Sequence, residues 1–143
     1  NSTEGVLFVE MAALSDDDGN RYISISDGNL NSNSIRIYYY LSGGYVFIQK
    51  YVGGTRTTNL STNSLTNTDF NKIAIRYNST TVDVWANGVQ ILTNADTNVI
   101  ASGTLNCLNF TKGGGGDNFF GKVKQLQVYQ TSLSDTQLAA LTS

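Results

Sequence analysis

The sequence predicts an all-β fold, a sandwich or jelly roll of two antiparallel sheets, with one short helix at the C-terminus. Short apolar runs recur along the chain, and turn residues separate them at intervals of about 8–12 residues, as in known sandwiches. The chain contains 8 Tyr and 6 Phe, and aromatic and β-branched residues favour strands. Its 143 residues predict a single domain, residues 1–143, with a core that needs no disulfide.

About ten runs have strand character, and recognisable turns join several of them. Ser42-Gly43-Gly44 separates two of the runs and predicts an antiparallel hairpin. Asp27-Gly28 and Asn87-Gly88 are dipeptides typical of hairpin turns. The predicted strands are residues 6–14, 21–26, 35–41, 45–52, 56–60, 72–77, 81–86, 89–92, 105–110 and 119–129.

The last predicted strand contains a change of phase. Val123, Leu126 and Val128 are apolar, yet a strict period of two would place Val123 and Leu126 on opposite faces of the sheet. One extra residue near Lys124-Gln125 returns all three side chains to one face. The sequence therefore predicts a β-bulge at this point.

The C-terminal residues predict a short amphipathic helix. Ser134 is a good N-cap, and Gln137 stands three residues later as its capping-box partner. Leu133 and Leu138 occupy the positions of a hydrophobic staple. Leu138 and Leu141 share one face of the helix. We expect that face to pack on the sheets.

Composition excludes several classes of function. The chain has no His and one Cys, so it lacks the commonest general base, the commonest zinc ligand and any internal disulfide. The single thiol, Cys107, lies mid-strand and is interpreted as a small buried hydrophobe. The net charge of −2 supplies no basic excess for phosphate contacts. Nucleic acid is therefore not expected as a partner.

The sequence predicts neither a membrane-spanning segment nor a signal peptide within these 143 residues. No stretch approaches the roughly 18 apolar residues of a membrane span. It begins at Asn1 without Met, and a strand-like run follows almost at once. We expect it to be a fragment of a longer polypeptide, whose other part could carry localisation signals.

Two stretches of the second half resemble laminin-G-like domains of the concanavalin A-like type. Residues 70–77 and 82–88 read FNKIAIRY and VDVWANG, which is similar to the central hairpin of these domains. Residues 120–135 read FGKVKQLQVYQTSLSD and resemble their closing strand and helix. Residues 4–10 and 21–28 match more loosely and look like domains in tail-fibre or other surface proteins of bacteriophages.

The resemblance implies a concanavalin A-like jelly-roll sandwich in which one sheet is often concave. In such domains sugars or protein partners bind at the concave face or at the rim loops, and calcium is frequent. Many members bind ligands, some are glycan hydrolases or lyases, and some only build structure. Function must therefore be argued from the site.

The residues for glycan hydrolysis are not evident. A glycosidase normally uses two carboxylates on either side of the scissile bond. The only Glu residues are Glu4 and Glu10, and Asp83 lies in a strand between Thr81 and Trp85. A partner across the strands is left open. Lyases of the superfamily use Tyr with His or Arg, and here His is absent. The sequence therefore predicts a protein that is not an enzyme.

Two loops invite a ligand interpretation. The run Asp16, Asp17, Asp18 could hold Ca²⁺, because hard cations prefer several oxygen ligands, or it is a solvated turn. It lacks the spacing and closing Glu of an EF-hand. Residues 112–116, Lys-Gly-Gly-Gly-Gly, lack the remainder of a P-loop. They predict a flexible hairpin loop at a rim.

Five residues form the predicted ligand-binding set, because alternation along two strands points them away from the core. Arg36, Tyr38 and Tyr40 share the outward face of one strand, and Asp83 and Trp85 share that of another. Tyr and neighbouring polar groups form adaptable binding surfaces. The alternative is that these aromatic side chains lie under a loop or form cross-strand pairs.

Together these features favour a non-catalytic binding module that recognises cell-surface glycans, within a phage fibre or an adhesin. The alternative is a structural or assembly domain that binds itself or another virion protein, and a glycan lyase or hydrolase comes third. An extracellular or virion-surface location is expected. Possible partners are a glycan, virion proteins or a second copy of the chain.

Overall fold

The computed structural model describes residues 1–14, 19–40 and 42–143. These residues form ten strands and one helix, so the predicted all-β fold with a C-terminal helix is confirmed. In chain order the elements are β1 (Gly5–Ala13), β2 (Asn20–Ser26), β3 (Ser34–Tyr40), β4 (Tyr45–Val52), β5 (Thr55–Thr62), β6 (Asn71–Tyr77), β7 (Thr81–Ala86), β8 (Val89–Ala95), β9 (Cys107–Asn109), β10 (Gly121–Tyr129) and α1 (Asp135–Thr142).

The strands form two five-stranded sheets. Sheet A has the order β10-β1-β6-β7-β8, and sheet B has the order β5-β4-β3-β2-β9. Every pair of neighbouring strands is antiparallel. The predicted hairpin of residues 35–41 with 45–52 is the pair β3–β4. The predicted sandwich of two antiparallel sheets is therefore confirmed.

The main core lies between the two sheets. It consists of alternate residues from each sheet, such as Leu7 and Val84 from sheet A and Ile37 and Ile48 from sheet B, all fully buried. Burying each such side chain contributes about 1.5–3 kcal/mol. Tyr39 also points into this core, where its hydroxyl donates a hydrogen bond to the carbonyl of Met11 at 3.0 Å.

The turns follow the sequence signals with one difference. Asn87 and Gly88 both have positive φ, 49° and 89°, and they connect β7 and β8 as a two-residue hairpin turn of type I′. The Asp27-Gly28 signal marks a longer connection, because pairing of β2 with β3 stops at Ser26 and Ser34. Asp27 N–H then donates to the carbonyl of Asn33 at 3.1 Å.

The predicted bulge in the last strand is confirmed. Glu10 of β1 pairs with Gln125 of β10, and Met11 pairs with Val123, so Lys124 is the extra residue. This shift lets Val123 and Leu126 pack against the same core. Val128, further along β10, is 44% exposed.

Helix α1 covers part of the outer face of sheet A. Ser134 is its N-cap, and the reciprocal hydrogen bonds with Gln137 form the predicted capping box. Fully buried Leu138 packs into a second apolar cluster that contains Phe8 and Trp85. Leu133 and Leu141 pack against this cluster too, as the sequence predicted for the docked face.

The interpretation of Cys107 as a buried residue is wrong. It is half-buried, because β9 is a three-residue edge strand that pairs only with β2. Neighbouring Leu108 is 45% exposed for the same reason. In the part of the chain that the structure describes, no helix has the length and apolar character needed to span a membrane.

Candidate functional site

The five residues predicted to bind a ligand lie on two opposite faces of the sandwich. Arg36, Tyr38 and Tyr40 alternate with core residues of β3 and point outward from sheet B. Asp83 and Trp85 alternate with core residues of β7 and point outward from sheet A. The core separates the two groups, so a single small ligand cannot contact both. Their ligand contacts stay a prediction.

Trp85 has a packing role in the structure. Only 9% of the residue is exposed, because α1 lies over it with Leu138. Phe8 and Ala74 complete the apolar surroundings of the indole ring. The indole Nε1–H has no hydrogen-bond partner. Trp85 therefore anchors the C-terminal helix to sheet A.

Asp83 is the centre of a satisfied hydrogen-bond network. Its Oδ2 accepts bonds from Arg76 Nε at 3.0 Å and Nη2 at 2.8 Å, and from Thr81 Oγ1 at 2.8 Å. Its Oδ1 accepts from Thr93 Oγ1 at 2.6 Å. Burial opposes ionisation, but hydrogen bonds from Thr93, Arg76 and Thr81 outweigh it and lower the pKa of Asp83.

This arrangement answers the question of an acidic partner for Asp83. Its cross-strand neighbours are Arg76 and Thr93, neither of which is an acid. Arg76 also extends the network to α1, because its Nη1 donates to the carbonyl of Leu133 at 3.0 Å and to Asp135 at 2.7 Å. Asp83 therefore orients the arginine that holds the helix, and Arg76 bonds to the carboxylates of both Asp83 and Asp135.

An aromatic ladder crosses the outer face of sheet B. Tyr22, Tyr38 and Phe47 stand opposite one another on β2, β3 and β4. The Tyr22 and Tyr38 rings stack at 4.1 Å, and the Tyr38 and Phe47 rings stack at 5.1 Å. Tyr40 and Tyr45 flank Phe47 at 5.9 and 6.0 Å. We call these five residues the aromatic ladder.

One end of the ladder is more exposed than the other. Tyr40 and Tyr45, near the β3–β4 turn, are 39% and 37% exposed. Phe47 is half-buried, whereas Tyr22 and Tyr38 are buried at 4% and 8% exposure. A planar or ring-shaped ligand could stack on the open end, and the remainder of the ladder continues under neighbouring residues.

A polar row runs beside the ladder across all five strands of sheet B. The register aligns Asn109, Ser24, Arg36, Gln49 and Asn59. Gln49 Nε2 donates to the Tyr38 hydroxyl at 3.3 Å and to Asn59 Oδ1 at 3.0 Å. These bonds connect the polar row to the ladder and orient the amide of Asn59, which is exposed.

The buried tyrosines Tyr22 and Tyr38 do not readily give up their protons. Burial raises the pKa of the Tyr22 and Tyr38 hydroxyls, and the two groups are hydrogen-bonded to each other. Both therefore stay protonated at neutral pH and act as hydrogen-bonding groups. A lyase mechanism needs a tyrosine that gives up its proton, and this environment disfavours that step.

The calcium prediction is not tested by the structure. Asp16, Asp17 and Asp18 lie outside the described residues. Within the described ranges, 1–14, 19–40 and 42–143, no group of three or more His, Cys, Asp or Glu side chains is placed to hold a metal ion. Binding of Ca²⁺ by the acidic loop stays a prediction.

Comparison with known families agrees with this geometry. The model of the concanavalin A-like lectin/glucanases superfamily (Laminin_G_3) matches residues 7–139. The chain belongs to this superfamily. No curated protein sequence matches the chain.

Three solved structures illustrate the shared fold. A carbohydrate-binding module, the CBM40 of the Ruminococcus gnavus IT-sialidase, superposes with a TM-score of 0.78 at 19% identity, over 99% of this chain and 84% of that one. The same module bound to α2,3-sialyllactose gives 0.73 at 19% identity, over 99% and 83%. A heptameric SAP-like pentraxin from Limulus polyphemus gives 0.70 at 15% identity, over 99% and 70%.

Proposed function

We propose that this superfamily member is a non-catalytic glycan-binding module whose ligand binds the outer face of sheet B. The observation that carries the proposal is the open end of the aromatic ladder, where exposed Tyr40 and Tyr45 flank Phe47. Sugar rings present C–H surfaces to aromatic faces, and their hydroxyls bond to amides. The amides of Gln49 and Asn59 lie beside the ladder.

The similar solved structures support this proposal, because one of them is a sugar-binding domain of the same fold. One of them is a carbohydrate-binding module with α2,3-sialyllactose bound, and the likeness extends over nearly the whole chain. Its identity with this chain is 19%, so the likeness shows a common scaffold and the ligand must be tested here. Function on this scaffold depends on the side chains of the site.

The absence of a reaction is the second part of the proposal. The strand carboxylate Asp83 is engaged by Arg76 and two threonines on the opposite face of the sandwich. The buried tyrosines of sheet B hold their protons because burial raises their pKa. Prolonged incubation with a panel of polysaccharides should therefore leave chain length unchanged, and repeated turnover would contradict the proposal.

A glycan array followed by calorimetry tests the binding face. Tyr45→Ala and Phe47→Ala should each weaken the affinity for the glycan found by about tenfold, since each aromatic contact contributes about 0.5–1.5 kcal/mol beyond its area. Phe110→Ala is the matched control, because Phe110 is 46% exposed and lies outside the ladder. An array without any binding, or an equal loss in the control, would refute the proposed function.

We also propose that the module belongs to an extracellular or virion-surface protein, such as a phage fibre or an adhesin. The support for this context is that residues 4–10 and 21–28 resemble domains in tail-fibre or other surface proteins of bacteriophages. Genes for tail or capsid proteins beside the coding region would support a virion context. The alternative role in assembly predicts a stable oligomer without glycan, which light scattering on a sizing column detects.

A further inference from the structure

Arg36 is buried, and two of its three guanidinium nitrogens have no hydrogen-bond partner. The residue is 0% exposed, and its Nη1 donates to Asn31 Oδ1 at 2.9 Å. Its guanidinium lies 4.3 Å from the centre of the Tyr51 ring. Nε and Nη2 have no hydrogen-bond partner. Among the described residues no carboxylate pairs with Arg36.

The two unused nitrogens have a specific geometry. Nε and Nη2 lie on the same edge of the planar guanidinium, and this edge offers two parallel N–H bonds. A carboxylate accepts both bonds through its two oxygens. A buried charged donor without a partner is costly, so this edge of Arg36 is complementary to a carboxylate that the protein does not supply.

A glycine-rich loop covers this edge. Residues 112–117, Lys-Gly-Gly-Gly-Gly-Asp, are called the lid here. A Cβ atom on Gly113 would lie 3.6 Å from Arg36 Nη2, and one on Gly114 would lie 2.5 Å from the backbone nitrogen of Leu30. The lid therefore packs directly on Arg36 and on the segment after β2. Only glycine at position 114 allows this close approach.

The lid is hydrogen-bonded at its base and meets residues 29 and 30 by van der Waals contact. Ser24 Oγ donates to the carbonyl of Thr111 at 2.9 Å, just before the lid. Across the lid itself, Lys112 N–H donates to the carbonyl of Gly116 at 3.2 Å, and Lys112 pairs with Asp117 at 3.5 Å. In the described part of the chain, no backbone hydrogen bond joins the lid to residues 27–33.

The lid also covers the buried end of the aromatic ladder. Lys112 Nζ lies 5.7 Å from the centre of the Tyr22 ring, and Tyr22 is only 4% exposed. Movement of the lid would thus uncover Arg36 and Tyr22 together. The open end of the ladder at Tyr45 and the guanidinium edge would then belong to one continuous surface.

We propose that the lid closes over an anion subsite, and that a sugar carboxylate binds side-on to Nε and Nη2 of Arg36 when the lid moves away. The inference rests on the proposed glycan-binding function and names the ligand class, a carboxylated sugar. Lid opening is then the step that couples recognition of the acid to contact with the Tyr22 ring, which Lys112 covers in the closed lid.

Gly114→Ala is the sharpest test. The added methyl group clashes with the Leu30 backbone only when the lid is closed, so the variant favours the open state. Calorimetry with α2,3-sialyllactose should show an affinity about fivefold higher than that of the wild type, whereas the affinity for lactose should not change. A folded variant with unchanged or weaker affinity for α2,3-sialyllactose would contradict the proposal that the closed lid blocks the subsite.

Arginine variants test the subsite itself. Arg36→Lys keeps the charge but loses the side-on edge, so it should lower the affinity for α2,3-sialyllactose about tenfold, to the level of lactose. Arg56→Lys is the matched control, because it makes the same charge-conserving change at an exposed arginine on the same sheet, and it should change neither affinity. Equal losses in both variants would overturn side-on binding.

Acetate alone separates this inference from the proposed function. In Gly114→Ala the NMR signal of Arg36 Nε–H should shift saturably with sodium acetate, and the added Arg36→Lys change should abolish the response. A signal that does not shift with acetate overturns the anion subsite. Equal affinity for lactose and α2,3-sialyllactose would also contradict the anion subsite, but it would agree with the proposed glycan-binding function. If neither sugar binds, the glycan array decides on the proposed function and the acetate titration decides on the subsite.

Discussion

The two outer faces of the sandwich carry similar residues but differ in how much of them is exposed to solvent. Each face carries aromatic and charged side chains at alternate positions of its strands. On sheet A, helix α1 covers Trp85, which is 9% exposed. On sheet B, Tyr40 and Tyr45 stay more than one-third exposed. Alternation along a strand therefore identifies the face to which a side chain belongs, and the covering element decides whether solvent or a ligand can reach it.

The outward-facing arginines of the two sheets show the same contrast. Arg76 on sheet A bonds to Asp83, Asp135 and the Leu133 carbonyl. Arg36 on sheet B is more deeply buried, yet two of its nitrogens have no partner. A guanidinium whose donors are satisfied holds a structure together. One whose side-on edge is unused is complementary to a ligand.

The largest effect is expected from removing the anchor of the helix. Trp85→Ala should lower the free energy of unfolding by about 3–5 kcal/mol, because it leaves a cavity under α1. The glycan affinity of the folded protein should not change, since Trp85 lies on the face opposite the ladder. Urea unfolding and calorimetry measure the two quantities.

Trp85→Phe is the matched control for this cavity. It keeps one aromatic ring and removes the other with the unpartnered Nε1–H, so it leaves a smaller cavity and a smaller loss of stability than Trp85→Ala is expected. A large drop in glycan affinity in either folded variant would show that sheet A takes part in binding, and would break the distinction between the faces.

The next largest effect concerns the satisfied network on sheet A. Asp83→Asn leaves partly buried Arg76 with Asp135 as its remaining charge partner, and the free energy of unfolding at pH 7 should fall by about 1–3 kcal/mol. Glycan affinity should again be unaffected. Denaturant midpoints of the wild type and the variant provide the measurement, and a variant as stable as the wild type would show that the network is dispensable.

The pH dependence of stability gives an independent check of this network. Because the pKa of Asp83 is lowered in the folded protein, its contribution is complete above its unfolded pKa of about 3.9 and is lost as the pH falls through the folded value. The difference between the wild type and Asp83→Asn should therefore shrink below about pH 4. Asp96, whose pKa is lowered by hydrogen bonds from Thr58 and Thr57 despite burial, keeps some acid sensitivity in both proteins.

The smallest effect is expected within the ladder. Tyr38→Phe keeps the stacked ring and removes the hydroxyl that accepts a bond from Gln49 at 3.3 Å. Stability should fall by about 0.5–1.5 kcal/mol, and glycan affinity by less than tenfold, because the orientation of the Gln49 and Asn59 amides is relaxed. A variant that unfolds would show that sheet B uses this hydroxyl for stability as sheet A uses Asp83.

Local patterns were sufficient for much of the architecture. The alternation in β6 and β7, the Asn87-Gly88 turn, the extra residue at Lys124 and the capping box of Ser134 are all confirmed. Each depends on backbone geometry within a few residues, where side-chain period and turn chemistry act directly.

Long-range packing decided the candidate site. The sequence placed Arg36, Tyr38, Tyr40, Asp83 and Trp85 in one outward set. Only the fold shows that the core divides this set, that α1 covers part of it, and that Phe47 and Tyr45 extend the other part. The sequence analysis did not identify those two residues, although alternation along β4 places them on the outward face, and the pairing of β4 with β3 was needed to align them with Tyr38.

By itself the sequence determined the two-sheet scaffold, its turns and its helix, because these follow from the hydrophobic period and from local hydrogen bonds. The tertiary structure decided which outward side chains are covered and which donors stay unused. Those properties depend on residues far apart in the chain, as when a glycine-rich loop before β10 comes to lie on an arginine in β3. No local pattern carries that information, because burial is a property of everything that surrounds a side chain.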